Sequence, residues 1–261
     1  MYEDEENKSS FWTCFTIIVG IATVSAAIFA GLTYFGIKNP FSKDSSVVED
    51  SVLVKQQEYT KDSVFTKDKE GVKDVDEDDV DPLFVNLGLS VKWSIRNLGA
   101  LYPEEFGDYY AWGEIEPKTE FSWSNNKWCK GYYDPPLKYG SVDNKSVLDR
   151  EDDAAHIVGR TPTAKEMKEL LTRCNWTWTT QKGVKGYKVK GPNGNSIFLP
   201  AAGFRTNRTQ CAGEYGRYWS SSLYKNGSQD NSAYFISFTP EQIDLSFNER
   251  FYGHTIRPVK P

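Results

Sequence analysis

The stretch EDDAAHIVGRTPTAKEMKELL, residues 151–171, gathers the residue types that catalysis uses. Three carboxylates, Glu151, Asp152 and Asp153, precede His156, and Arg160 stands just ahead of a helix signal. Neighbouring carboxylates with an imidazole suit general acid–base work, or a metal site where a second His or Cys stands close. The other histidine, His254, lies in a distant segment, and no CxxC or His/Cys ligand spacing occurs. The competing role is structural. Arg160 would neutralise a carboxylate at 151–153 as a buried pair, and His156, between Ala155 and Ile157, would fill a buried apolar run. The stretch reads as scaffold, and no catalytic residue, metal or cofactor is assigned.

Other reactive side chains give weaker patterns. Ser220, Ser221 and Ser222 in YWSSS lack a Gly-x-Ser-x-Gly elbow and suit the polar face of a strand. Cys129 and Cys174 form a disulfide candidate. A bridge would close a long loop, stabilise by about 4 kcal/mol in the chain-entropy picture, and imply an oxidising compartment. Two buried thiols packing as small hydrophobes are the alternative. Trp123 and Trp128, in the polar stretch FSWSNNKWC, are the ligand-binding candidates, with core packing as the competing role.

Several elements must position these groups. Thr163 is placed to cap a helix from Ala164 to about Cys174, with Glu166 completing a capping box and Pro162 preceding it. Met167, Leu170, Leu171 and Cys174 fall at helical spacing and form its buried stripe. FVNLGLSVKWSI reads as a strand, and NWTWTTQ sets Trp176 and Trp178 on one face. GYKVKGPNGNSIFLP reads as a hairpin through Asn193-Gly194. GRYWSSSLY, AYFISF, IDLSF and HTIRPV add four more short strands. One amphipathic helix on antiparallel strands predicts an α+β domain.

Upstream, the run Phe11–Ile37 carries no charge, long enough to cross a hydrocarbon core of about 30 Å. Aromatics at both ends suit interfacial anchors, and the acidic leader MYEDEENKSS argues against a cleaved signal peptide. Thr23, Ala27 and Gly31 make a small-residue stripe suited to pairing two such spans as a homodimer, with small residues scattered along a lone span as the alternative. The expected organisation is a tail at 1–10, a transmembrane helix at 11–37, a disordered acidic linker at 38–81 and a folded domain at 82–261. DVDEDDVD in the linker lacks the turn glycine and closing Glu of a calcium loop. The net charge of −5 gives no basic footprint for nucleic acid, while 15% aromatic residues suit a β-rich, loop-rich domain.

The segments VNLGLSVKWSIRNLGA, PEEFGDYYAWGE, EDDAAH, RTPTAKEMKELL, GPNGNSIFLPAAGFR, GRYWSSS and HTIRPV resemble the Fibrobacter succinogenes major paralogous domain, from Pro82 to about Val259. More distantly they resemble C-type-lectin-like and formylglycine-generating-enzyme-like domains. The chain departs from the first pattern between His156 and Arg160, where only IVG remains. The resemblance implies a C-type-lectin-like fold and no particular chemistry. Formylglycine-type activity is not carried over, because Cys211 in RTQCAGEYG sits in no reactive-cysteine motif. Lysine counts flanking the apolar run lean slightly toward an inside C-terminus. The family's usual export, with Asp-Ser-Val triplets at 50–52 and 62–64 that resemble O-glycosylation acceptors, places the domain outside the cytoplasmic membrane instead. The expected function is a membrane-anchored, extracytoplasmic binding or surface-interaction module without catalysis, its partner a glycan or a surface protein. A degenerate formylglycine-type enzyme and a purely structural surface protein are the alternatives.

Overall fold

The computed structural model describes residues 81–226 and 229–261. In chain order they form β1 (Phe84–Asn86), β2 (Lys92–Ser94), α1 (Ala164–Arg173), β3 (Asn175–Gln181), β4 (Val184–Lys190), β5 (Ser196–Pro200), β6 (Phe204–Arg205), β7 (Thr209–Gln210), β8 (Gly216–Asn226), β9 (Gln229–Phe238), β10 (Ile243–Glu249) and β11 (Val259–Lys260). Two 3-10 turns, Trp123–Asn125 and Arg150–Asp152, punctuate the long connection from β2 to α1.

FVNLGLSVKWSI is not one strand. The Asn86 side chain accepts from the Gly88 N–H at 2.7 Å, and Gly88 at φ +76° reverses the chain. Phe84 therefore pairs with Ser94 in a hairpin, and β11 adds to β2, so the first and last strands of this region share one sheet. The second sheet, β3–β4–β5, follows the expected pattern. Lys182 and Gly183, both at positive φ, turn β3 into β4, and Gly194 at φ +92° turns β4 into β5. Trp176 and Trp178 pack edge-on against Tyr187 at 5.6 and 5.0 Å. The third sheet has the order β10–β9–β8, with a register shift between Trp219 and Leu223. The pair β6–β7 makes a fourth.

Helix α1 forms as its capping box requires. Thr163 Oγ1 accepts from the Glu166 N–H, and Glu166 Oε2 accepts from the Thr163 N–H at 2.8 Å. Met167 and Leu170 are fully buried against Leu199, Tyr218, Ile236 and Phe238. A second core gathers Tyr110, Trp112, Tyr139, Trp219 and Phe235 beneath the irregular connection.

Two expectations about architecture need correction. The α+β, C-type-lectin-like assignment gives way to a mostly β structure, four small antiparallel sheets with one ten-residue helix among the described residues. The helix is a single buttress on one sheet rather than a layer, because the run from Ile95 to Thr163 packs as turns around large aromatics. HTIRPV is likewise no regular strand up to Pro258, and only Val259 enters β11. It threads between sheets, making single bridges from His254 to Tyr110, Thr255 to Tyr218 and Val259 to Arg160. The expected transmembrane helix at 11–37 and linker at 38–81 lie outside the described residues, save Asp81, as do Thr23, Ala27 and Gly31. Among the described residues no helix is long and apolar enough to cross a membrane.

Candidate functional site

The acidic stretch is built into a lysine network. The 3-10 turn Arg150–Asp152 brings the carboxylates of Asp149, Glu151 and Asp152 together within 4.8 Å, a spacing that would suit a cation. An ammonium already fills that position. Lys138 Nζ lies 2.8 Å from Asp149, 3.4 Å from Glu151 and 2.6 Å from Asp152. Lys127 Nζ and the Tyr139 hydroxyl donate to the same buried Asp152. Burial works to raise the Asp152 pKa, but Lys138, Lys127 and Tyr139 together hold it below the usual aspartate value.

Arg160 does not pair with residues 151–153. It donates twice to Glu166, with Nη1 at 2.7 Å from Oε2, which ties the loop to the capping box of α1. The guanidinium is partly solvent-exposed, so the expected buried pair is corrected on both partner and depth. Asp153 is instead a turn-holder, accepting from Thr161 N–H and Oγ1 and from Ala155 N–H. His156 is only half-buried, its Nδ1 set against the Asp153 carbonyl, and Ile157 beside it is exposed. The imidazole at the centre of the fold is His254, stacked on Trp219 at 4.0 Å.

The serines serve the fold as well. Ser222 Oγ accepts from Ala164 N–H at the start of α1, and Ser220 Oγ donates to the Tyr234 carbonyl. Cys129 and Cys174 are free buried thiols, not a bridge. Cys174 belongs to the core under α1, whereas Cys129 hangs from the Asn126 side chain by its N–H and sits beside Arg250. Burial raises the pKa of both, that of Cys174 to about 11. A cavity lined by Trp112, Glu114, Asp152, Thr161 and Ser220 measures about 10 Å³, room for a single water.

The exposed chemistry lies elsewhere, in aromatic rings. Asn126, fully buried, organises the segment: its Oδ1 accepts from Trp128 and Cys129 N–H, and its Nδ2 donates to Glu114. On one side Trp128 is locked in place. Its indole N–H donates to the Gly113 carbonyl at 2.8 Å, and Lys127 and Lys138 ammoniums sit over its ring at 4.4 and 5.3 Å. Gly113, at φ +79°, is required there, since a Cβ would stand 2.9 Å from that indole. Trp128 is thus occupied by its own neighbours. On the other side Trp123, set on a 3-10 turn with its own capping box, lies 4.7 Å from Phe251 and meets Tyr132 edge-on at 6.3 Å. Tyr132 in turn meets Tyr133 at 4.9 Å. Tyr133 is 87% exposed and Tyr132 42%. Asn231 Nδ2 donates to the Tyr132 carbonyl at 2.8 Å and ties this loop to β9.

No protein family, curated protein or solved structure matches the chain. The site therefore has to be read from its own geometry. Of the two tryptophans singled out in the sequence, the structure makes Trp123 part of an open row of rings and Trp128 part of the scaffold. Tyr132, Tyr133 and Phe251 were not anticipated. The doublet in GYYDPP, two tyrosines bounded by glycine and prolines, marked a loop but not the exposure of its rings, since the adjacent Tyr109 and Tyr110 are both buried.

Proposed function

We propose that this domain is a non-catalytic binding module that takes carbohydrate on the ring row Tyr133–Tyr132–Trp123–Phe251. One observation carries the reading: an ordered loop, pinned by Asn126 and Asn231, holds rings toward solvent that would lose their hydration if covered. Exposing a tyrosine to that degree forgoes roughly 1–2 kcal/mol of burial, a cost regained when a partner covers it. A pyranose presents a flat C–H face that lies on an aromatic ring, with hydroxyls directed to polar neighbours. Such neighbours flank the row, with Ser122, Ser124 and Asn125 on the Trp123 turn and Asp134 beside Tyr133. The cavity near Asp152 has no room for a substrate, and the acidic cluster is already neutralised by lysine. These points support binding over catalysis.

Location outside the cytoplasmic membrane belongs to the same proposal, supported by the uncharged run from Phe11 to Ile37 and the two Asp-Ser-Val triplets. The test is a glycan-array screen of the full chain, with Trp123→Ala alongside. The reading expects bound glycans for the wild type and their loss in the variant. An array without hits, or hits that Trp123→Ala retains unchanged, contradicts it.

A further inference from the structure

The row of rings does not end at Phe251. Phe251 stacks on Tyr252 at 4.3 Å, and Tyr252 meets Phe204 edge-on at 6.0 Å. Over Phe204 lies the Arg217 guanidinium, its central carbon 3.9 Å from the ring centroid and 5.6 Å from that of Phe235. Arg217 differs from the other deeply buried arginines. Arg250 donates to the carbonyls of Lys138 and Tyr139, and Arg257 to those of Ser94 and Phe198. Among the described residues Arg217, 9% exposed, shares with them an unpartnered Nε and the lack of an ion pair, but its side chain makes no hydrogen bond at all. Glu249, Tyr215 and Tyr252 act on it only at range, and burial pushes its pKa down to about 10, so it stays charged at neutral pH. Its terminal nitrogens, unlike Nε, are not sealed from solvent.

A buried cation whose terminal N–H groups meet neither a carboxylate nor, as in Arg250 and Arg257, backbone carbonyls is unfavourable, and a bound anion would relieve it. Phe204 lies against the guanidinium, and the terminal N–H fork is left to meet an acceptor. A planar carboxylate is the group that matches such a fork with two parallel hydrogen bonds. The links from Trp123 through Phe251, Tyr252 and Phe204 to Arg217 are each about 4–6 Å. Tyr252 and Phe204 are themselves buried, so a ligand would rest on Trp123 and Phe251 and reach past them to Arg217, a distance within the span of a short oligosaccharide.

Resting on the carbohydrate reading above, we propose that the ligand is an acidic glycan, one bearing uronic-acid sugars, whose carboxylate pairs with Arg217 while neighbouring sugar rings lie on Trp123 and Phe251. The probes are trigalacturonate and its fully methyl-esterified form, titrated calorimetrically into the full chain. Wild type should bind the acid at least tenfold more tightly than the ester. Arg217→Met should erase that difference, keep ester binding, and melt at or above the wild-type temperature, because a buried unpaired charge has been removed. A purely structural arginine would instead lower the melting temperature and leave the preference intact. If Arg217→Met fails to fold, Arg217→Lys decides: it keeps the charge but loses the fork, and the preference should drop several-fold. Equal binding of acid and ester by wild type overturns the Arg217 assignment alone. So does a retained preference in either variant, or a tighter grip on triglutamate than on trigalacturonate. Failure to bind either sugar, together with an array without hits, overturns the carbohydrate reading as well.

Discussion

His254 shows at the residue scale how the irregular segments are held. It is completely buried against Trp219 and Phe235, and its Nε2 lies 3.4 Å from the Asn248 amide, so Nε2 accepts and Nδ1 carries the proton. Burial, and then the positive Arg217, drive its pKa well below the ordinary 6.5. The unfolded chain therefore takes up a proton near pH 6.5 that the folded protein refuses. Stability should be fully present above that value and should fall as pH drops through it, by about 1.4 kcal/mol per unit for this one group. Urea melts between pH 7.5 and 5 check this, and His254→Phe should flatten that part of the profile. A slope that survives the substitution would place the acid sensitivity elsewhere. Sequence reasoning expected the buried imidazole at His156 because small apolar residues flank it. It had no means to see that HTIRPV would thread through the centre of the molecule, since flanking composition reports local pattern and not long-range packing.

At the element scale the start of α1 is the best-specified piece. Its cap, capping box and apolar stripe were all legible, because they depend on residues within one helical turn or two. Thr163→Ala should cost about 1 kcal/mol in denaturant melts. Arg160→Ala should cost no more than about 1 kcal/mol rather than the roughly 3 kcal/mol of a buried pair, because its guanidinium is partly solvated and Glu166 keeps the Thr163 N–H as a donor. A loss near 3 kcal/mol would mean that the Arg160–Glu166 pair is desolvated in solution. The hairpin at Asn193-Gly194 was legible for the same local reason. The hairpin hidden in FVNLGLSVKWSI was not, since the alternation of apolar residues runs through its turn and only Asn86 and Gly88 mark the reversal. Strand pairs such as β11 with β2 join residues far apart in sequence, and no local signal encodes them.

At the scale of the whole molecule, aromatic-rich cores among the described residues stand beside the helix-on-strand packing that period alone suggested. The long connection from Ile95 to Thr163 folds around Trp112, Tyr139 and Trp219 without forming a strand, so alternation is silent about it. The free state of Cys129 and Cys174 follows from this partition: each thiol is sealed in its own surroundings and its pKa is raised by burial. Neither should react with a thiol reagent at neutral pH until the protein is denatured, when both should label; peptide mapping before and after denaturation checks this, and native labelling of either would contradict its burial. The candidate site was half legible. Trp123 stood out in its polar segment, but its partners Tyr132, Tyr133 and Phe251 come together only in three dimensions. The most direct test of that surface compares two exposed rings. Tyr133 lies on the row, whereas Phe247 is an exposed ring on β10, stacked on Tyr224 at 3.8 Å. Calorimetric titration with the tightest array glycan should show Tyr133→Ala weakening affinity about tenfold, or about 1.4 kcal/mol, with Phe247→Ala unchanged. Loss of binding in Phe247→Ala with Tyr133→Ala unaffected would move the ligand to another face and contradict the account.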